Sequence, residues 1–255
     1  MIQNNWPTRL WLTRHGQSAG NVARDAAEAA RQLSIDIAAR DVDVPLSALG
    51  QRQSAAMGAW FGALPEPERP NVVLFSPYLR ARQTAQAVLD LLPRGPILEV
   101  LADERLREKE FGILDRLTVM GIREKYPELA EQRSHVGKFY FRPPGGESWC
   151  DVILRLRSVL DTICLEYAGA RVLIVAHQVI VNCFRYLLEG LDEEAILAID
   201  RAGDVPNCGI TDYRFDTHPG QHGRLLLVKA NLVAPLEASG TPVTRRPDRP
   251  GAAKS

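Results

Sequence analysis

The sequence predicts an α/β protein: a three-layer α/β/α domain around a mostly parallel central sheet. Three observations carry this expectation. Short, continuously apolar runs recur (RLWLT at Arg9–Thr13, NVVLF at Asn71–Phe75, RVLIVA at Arg171–Ala176), and runs of that length read as buried strands. Between them lie longer stretches with apolar residues at helical spacing. Strands that alternate with helices imply parallel crossovers with helices on both faces.

Taken in order, Arg9–Thr13 is a strand that stops at Arg14-His15-Gly16. Residues Asn21–Leu33, rich in Ala, Glu and Arg, form a helix, and Gln51–Leu64 forms another after the Pro45 and Gly50 breaks. Asn71–Phe75 is a strand cut by Ser76-Pro77, followed by a helix over Tyr78–Leu92 and a strand over Ile97–Leu101. Residues Glu104 to Gly146 are polar and irregular, with one helix at Val119–Tyr126. Glu147–Tyr167 is an amphipathic helix, Arg171–Ala176 a strand ending at His177, and Val179–Glu189 a helix. Gly209–Phe215 and Arg224–Asn231 alternate as edge strands do. One catalytic domain over residues 1–234 is expected. Pro, Gly, Ala and basic residues then dominate, so 235–255 reads as a disordered tail.

Composition excludes several function classes. Lys plus Arg and Asp plus Glu are 31 each, so no overall field favours nucleic acid or an anionic membrane. No run approaches the ~20 apolar residues of a membrane span, and Met1–Leu10 lacks the order of a signal peptide. Cys150, Cys164, Cys183 and Cys208 are scattered without paired ligand spacing, which suits reduced thiols in a cytoplasm. No carboxylate cluster offers a metal site, and no cofactor motif is present.

The chemistry gathers at strand ends, because ligands of parallel α/β sheets sit beyond the carboxyl ends of the strands. Two apolar runs end in histidine, at His15 and His177, and a third ends at Ser76-Pro77 with Arg80 at the start of the next helix. A single histidine would read as a packed core residue. Two at equivalent strand ends, beside arginines, read as an anion site. Arg14 offers a fork matched to phosphate oxygens. Gly16 lets backbone N–H groups approach an anion, and the following helix start, with Gln17, Ser18 and Asn21, adds partial positive charge. His15 can attack phosphorus if its other ring nitrogen donates to a fixed acceptor such as a carbonyl.

"LTRHGQSAGN", "PLSALGQRQ", "SPYLRARQTA", "LREKEFG", "PPGGES" and "VLIVAHQ" resemble, in order, blocks of the histidine phosphatase superfamily, which contains phosphoglycerate mutases and fructose-2,6-bisphosphatase. The resemblance implies the phosphoglycerate mutase-like fold and a metal-independent phosphatase working through phosphohistidine at His15. It implies a phosphate pocket of Arg14, Arg80 and His177, with Asn21 and Gln178 beside it. Arg80 is the match rather than Arg82, standing directly before Ala81 and four residues before Thr84. Glu108 matches the general acid, four residues before Gly112, with Glu110 as competitor.

Glu147 reads as structural, in the first turn of its helix. Lys138 and Arg142 resemble residues that reach a remote phosphate in fructose-2,6-bisphosphatase, although Asn182 and Ser134 stand where that enzyme has arginines. The span Gly112–Gly146 is short and lacks the double arginine of the mutases, which favours hydrolysis over mutase transfer. An inactive phospho-ligand binder is the other alternative. The expected partner is a small phosphorylated metabolite with a second anionic group.

Overall fold

A computed structural model describes residues 5–93, 95, 99–216 and 223–245. Six strands form one sheet in the order β3-β2-β4-β1-β5-β6. They are β1 (Arg9–Arg14), β2 (Val72–Phe75), β3 (Glu99–Ala102), β4 (Arg171–Ala176), β5 (Ile210–Asp216) and β6 (Arg224–Leu232). Strands β3, β2, β4 and β1 run parallel, whereas β5 is antiparallel to both β1 and β6. Thus β6 is an edge, but β5 lies inside the sheet, between β1 and β6. Residues 96–98 of the expected third strand lie outside the described residues.

Alternation along each central strand separates the two faces. Leu10, Leu12, Val72, Leu74, Val172 and Ile174 face one way, against α6 (Trp149–Glu166), α7 (Gln178–Glu189) and α8 (Glu193–Ala202). Trp11, Val73, Leu173 and Val175 face the other, against α2 (Ala48–Ala63) and α3 (Leu79–Leu89). Burying both faces explains why these strands are uniformly apolar. Each fully buried large side chain contributes ~1.5–3 kcal/mol, so the two layers hold the sheet rigidly beneath the site.

Helix α1 (Ala19–Ala29) begins with a reciprocal cap between Ser18 and Asn21. The irregular stretch after β3 holds two helices, α4 (Val119–Lys125) and α5 (Pro127–Val136), where one was expected. None of the α5 residues is buried, so no apolar stripe marked it in the sequence. Helix α8 was also not anticipated. Glu147 precedes α6 rather than lying in its first turn. The helix is capped by Ser148 with Asp151.

The start of the expected tail is structured. Helix α9 (Ala234–Ala238) buries Leu236 completely beside Trp11 and Phe61, and Val243 packs on the same cluster. Apolar burial outweighs a composition that suggests disorder, so 235–245 is part of the fold. Residues 246–255 lie outside the described residues. The four cysteines carry free thiols, with Cys183 and Cys208 buried. Among the described residues, no helix is long and apolar enough to cross a membrane.

Candidate functional site

Parallel pairing places three strand ends side by side, with Arg14 opposite Ala176 and Phe75 opposite Val175. The next residues, His15, Ser76 and His177, therefore emerge together. Arg14, His15 and His177 are completely buried, and Arg80 is only 2% exposed. The rings of His15 and His177 meet edge to face at 5.1 Å, and the Oγ of Ser76 lies 2.8 Å from Nε2 of His177.

The contacts of His15 fix its tautomer. Its Nδ1 lies 2.6 Å from the Gly16 carbonyl, which can only accept, so Nδ1 carries the hydrogen. Its Nε2 lies 3.2 Å from Nε–H of Arg80, which can only donate, so Nε2 presents its lone pair. Both partners demand the same assignment, and the expected carbonyl acceptor is the neighbouring residue's own. The Arg80 donor also marks where an oxygen of an oxyanion facing His15 would accept.

Arg80 is held by Asp41, donating to its carbonyl at 2.7 Å and to its carboxylate at 3.2 Å, and its guanidinium stacks over the Tyr78 ring. Arg82 is exposed. Arg14 donates to the Val205 carbonyl at 2.7 Å.

The expectation that loop N–H groups cradle the anion is not met. From His15 to Ala19 each backbone N–H is already committed, in order to Ala176 O, Thr84 Oγ1, Gln53 Oε1, Asn21 Oδ1 and Pro45 O. Gly16 serves close packing instead. A Cβ there would meet the Gly50 carbonyl at 2.5 Å, and one on Gly50 would meet the Gln17 carbonyl at 1.9 Å. The positive charge facing an anion at His15 thus comes from side chains. Asn21 uses Oδ1 to cap α1, so any role toward an anion falls to its Nδ2 amide. Ser18 serves as that cap, and the Gln17 Oε1 accepts from Ser47.

Glu108 is 1% exposed, and its Oε1 accepts the Lys109 N–H at 2.8 Å. Glu110 accepts the hydroxyl of Tyr78 at 2.7 Å. The Tyr78 ring in turn packs edge-on against His177. Burial and then the Glu110 hydrogen bond push the Tyr78 phenol above its usual range, and the charge of Glu108 adds to this. Glu110 is thereby connected to His177 through Tyr78.

Glu147 pins the Glu108 loop, accepting from Arg107 at 2.9 Å, Arg155 at 3.0 Å and the Glu110 N–H at 3.0 Å. Burial alone would raise its pKa, but Arg155, the Glu110 amide and Arg107 hold it below the usual range.

Lys138 and Arg142 are both ion-paired. Lys138 meets Asp200, which Asn182 also approaches at 3.5 Å, and Arg142 meets Asp151. Gln178 Nε2 donates to Asp204 at 2.9 Å. Among the described residues, no group of three or more His, Cys, Asp or Glu is placed to hold a metal ion.

Lys109, beside Glu108, was not anticipated. Its ammonium lies 4.3 Å from the Phe111 ring centre, and burial pulls its pKa from 10.5 down to about 8. Glu108 and Glu147 oppose that shift, while Arg133 reinforces it. Between about 8 and 10.5 Lys109 is protonated in the unfolded chain and neutral in the folded one, so its contribution to stability rises with pH across that window. At about 1.4 kcal/mol per pH unit, the gain is capped near 3 kcal/mol. Between pH 7.5 and 10, urea unfolding should show the stability of the wild type rising relative to that of Lys109→Met.

Two histidines and Arg14 at the carboxyl ends of adjacent parallel strands, with Arg80 from the start of α3, form a buried cationic cluster whose chemistry suits an oxyanion. Residues 10–225 match the model of the histidine phosphatase superfamily (branch 1), and the chain belongs to that family. It is 32% identical over 178 residues to the 6-phosphofructo-2-kinase/fructose-2,6-bisphosphatase of Caenorhabditis elegans, an alignment covering 69% of this chain and 33% of that protein. The chain thus spans about a third of that relative's length. It is also 27% identical over 212 residues to a probable phosphoglycerate mutase of Yersinia enterocolitica, covering 83% and 86% of the two chains. Among solved structures, mycobacterial glucosyl-3-phosphoglycerate phosphatase with inorganic phosphate superposes with a TM-score of 0.67 at 25% identity, covering 89% of this chain and 99% of that one.

Proposed function

We propose that the chain is a phosphatase that hydrolyses a small phosphorylated metabolite through a phosphohistidine on Nε2 of His15. The observation that carries this reading is the fixed tautomer: Gly16 O holds the Nδ1 hydrogen, and the Nε2 lone pair faces Arg80. Nε2 attacks phosphorus, the bond to the ester oxygen breaks, and the departing alkoxide takes a proton from Glu108. Glu108, now a carboxylate, takes a proton from water as that water attacks the phosphohistidine, which releases phosphate and restores His15. Arg14, Arg80 and His177 stabilise the charge on the transferring oxygens, with Asn21 and Gln178 beside them. Glu108 is preferred to Glu110 as the acid because Glu110 is held by the Tyr78 hydroxyl.

The substrate we infer is compact and carries one phosphate. Lys138 and Arg142 already have carboxylate partners, and Asp204 sits on Gln178, which leaves the groups beyond the phosphate suited to hydroxyls. This replaces the second anionic group that the basic residues suggested in sequence. Fructose 2,6-bisphosphate should be a poor substrate beside sugar monophosphates.

Brief reaction with a phosphate-labelled ester, quenched in base, should leave an acid-labile label on His15, and turnover should persist in EDTA and fall with vanadate. Activity that a chelator abolishes and a divalent ion restores would refute the metal-independent reading. A label on another residue would refute the nucleophile.

A further inference from the structure

The segment after α9 returns to the back of the His15 loop. Thr244 joins two buried side chains there. Its Oγ1 accepts from Gln53 Nε2 at 3.0 Å and donates to Asn207 Oδ1 at 2.8 Å, and its carbonyl accepts the Asn207 N–H at 2.9 Å. The Pro242 carbonyl takes the other hydrogen of Gln53, at 2.9 Å. Each of the two clamped side chains then grips the loop. Gln53 Oε1 accepts the Gln17 N–H at 2.9 Å, and Asn207 Nδ2 donates to the His15 carbonyl at 3.0 Å. These two grips bracket the Gly16 peptide, whose carbonyl sets the His15 ring.

We propose that residues 242–244 form a strap, with Thr244 as a positioning residue that fixes the orientation of His15 through Gln53 and Asn207. Gln53 and Asn207 are 0% and 1% exposed, so neither has water to replace a lost partner. An amide that loses one partner rotates or shifts, and the bracketed peptide moves with it. A misplacement of a reacting group by about 1 Å can slow a reaction by on the order of 10²-fold. The segment is anchored on both sides of its turn, by Leu236 and by Val243 in the α2 and α3 layer, so it holds its place without a ligand.

The kinetic part rests on the proposed phosphohistidine reaction, so the test includes a measurement that does not need turnover. Thr244→Val removes the hydroxyl while keeping the shape, and Thr244→Ser keeps the hydroxyl. In the full chain, Thr244→Val should lower kcat about tenfold, leave the competitive inhibition constant of vanadate within twofold of wild type, and speed amide exchange in a peptide spanning residues 15–18. Thr244→Ser should restore kcat and the exchange rate, with the vanadate constant unchanged throughout. If exchange responds in this way but not even the wild type hydrolyses phosphate esters, the strap stands and the function proposed above falls. The strap is overturned if Thr244→Val leaves exchange at 15–18 unchanged. It is equally overturned if Val and Ser lower kcat alike, because packing rather than the hydroxyl would then be responsible.

Discussion

His15→Ala is expected to lower turnover by at least on the order of 10⁴, the scale on which loss of a covalent nucleophile is felt, while the protein stays folded. The histidine is fully buried, so this needs argument. What holds the loop at this position is backbone: the His15 N–H donates to Ala176 O, and the His15 carbonyl accepts from Asn207. Alanine keeps both. The variant loses the ring's packing against His177, its bond to the Gly16 carbonyl and the bond it accepts from Arg80, at about 1–3 kcal/mol for each buried partner left unsatisfied. Circular dichroism with a thermal melt checks the fold, and the base-quenched label checks the chemistry. Near-wild-type hydrolysis by a folded variant would rule out His15 as the nucleophile.

Glu108→Gln should slow hydrolysis of alkyl phosphates by about 10²–10⁴, the usual range for a general acid. The amide keeps the oxygen that accepts the Lys109 N–H, so the loop should hold its position. Nitrophenyl phosphate has a leaving group that needs little protonation and should be far less affected. Glu110→Gln should lack this dependence on the leaving group, because its carboxyl is engaged by Tyr78. The reverse pattern would assign the acid to Glu110.

The strand ends were legible because parallel buried strands announce themselves by continuous apolar runs, and the residue after each run must emerge at the same edge. His15, His177, Arg14 and Arg80 followed from that one inference. The role of Gly16 was not legible. Its packing against Gly50 and the capture of successive N–H groups by Thr84, Gln53 and Pro45 arise only in the folded chain. The same holds for Lys138, whose partner Asp200 is 62 residues away, and for Thr244, 191 residues from Gln53. Such pairings leave no local periodicity. Helix α8 is a different case, because Asp192, the two following glutamates and the terminal Gly203 are ordinary start and stop signals that could have been read.

The committed backbone of the His15 loop bears on how the protein responds to heat. A loop whose amides wait for a ligand can melt by itself when the ligand is absent. Here the Ser18 amide is held by Asn21 of α1, and the other four partners belong to β4, α3, α2 and the segment before α2. Heat must therefore work against those layers as well as against the loop to loosen it. The geometry around His15 should therefore be lost in the same thermal transition as the main layers of the wild type.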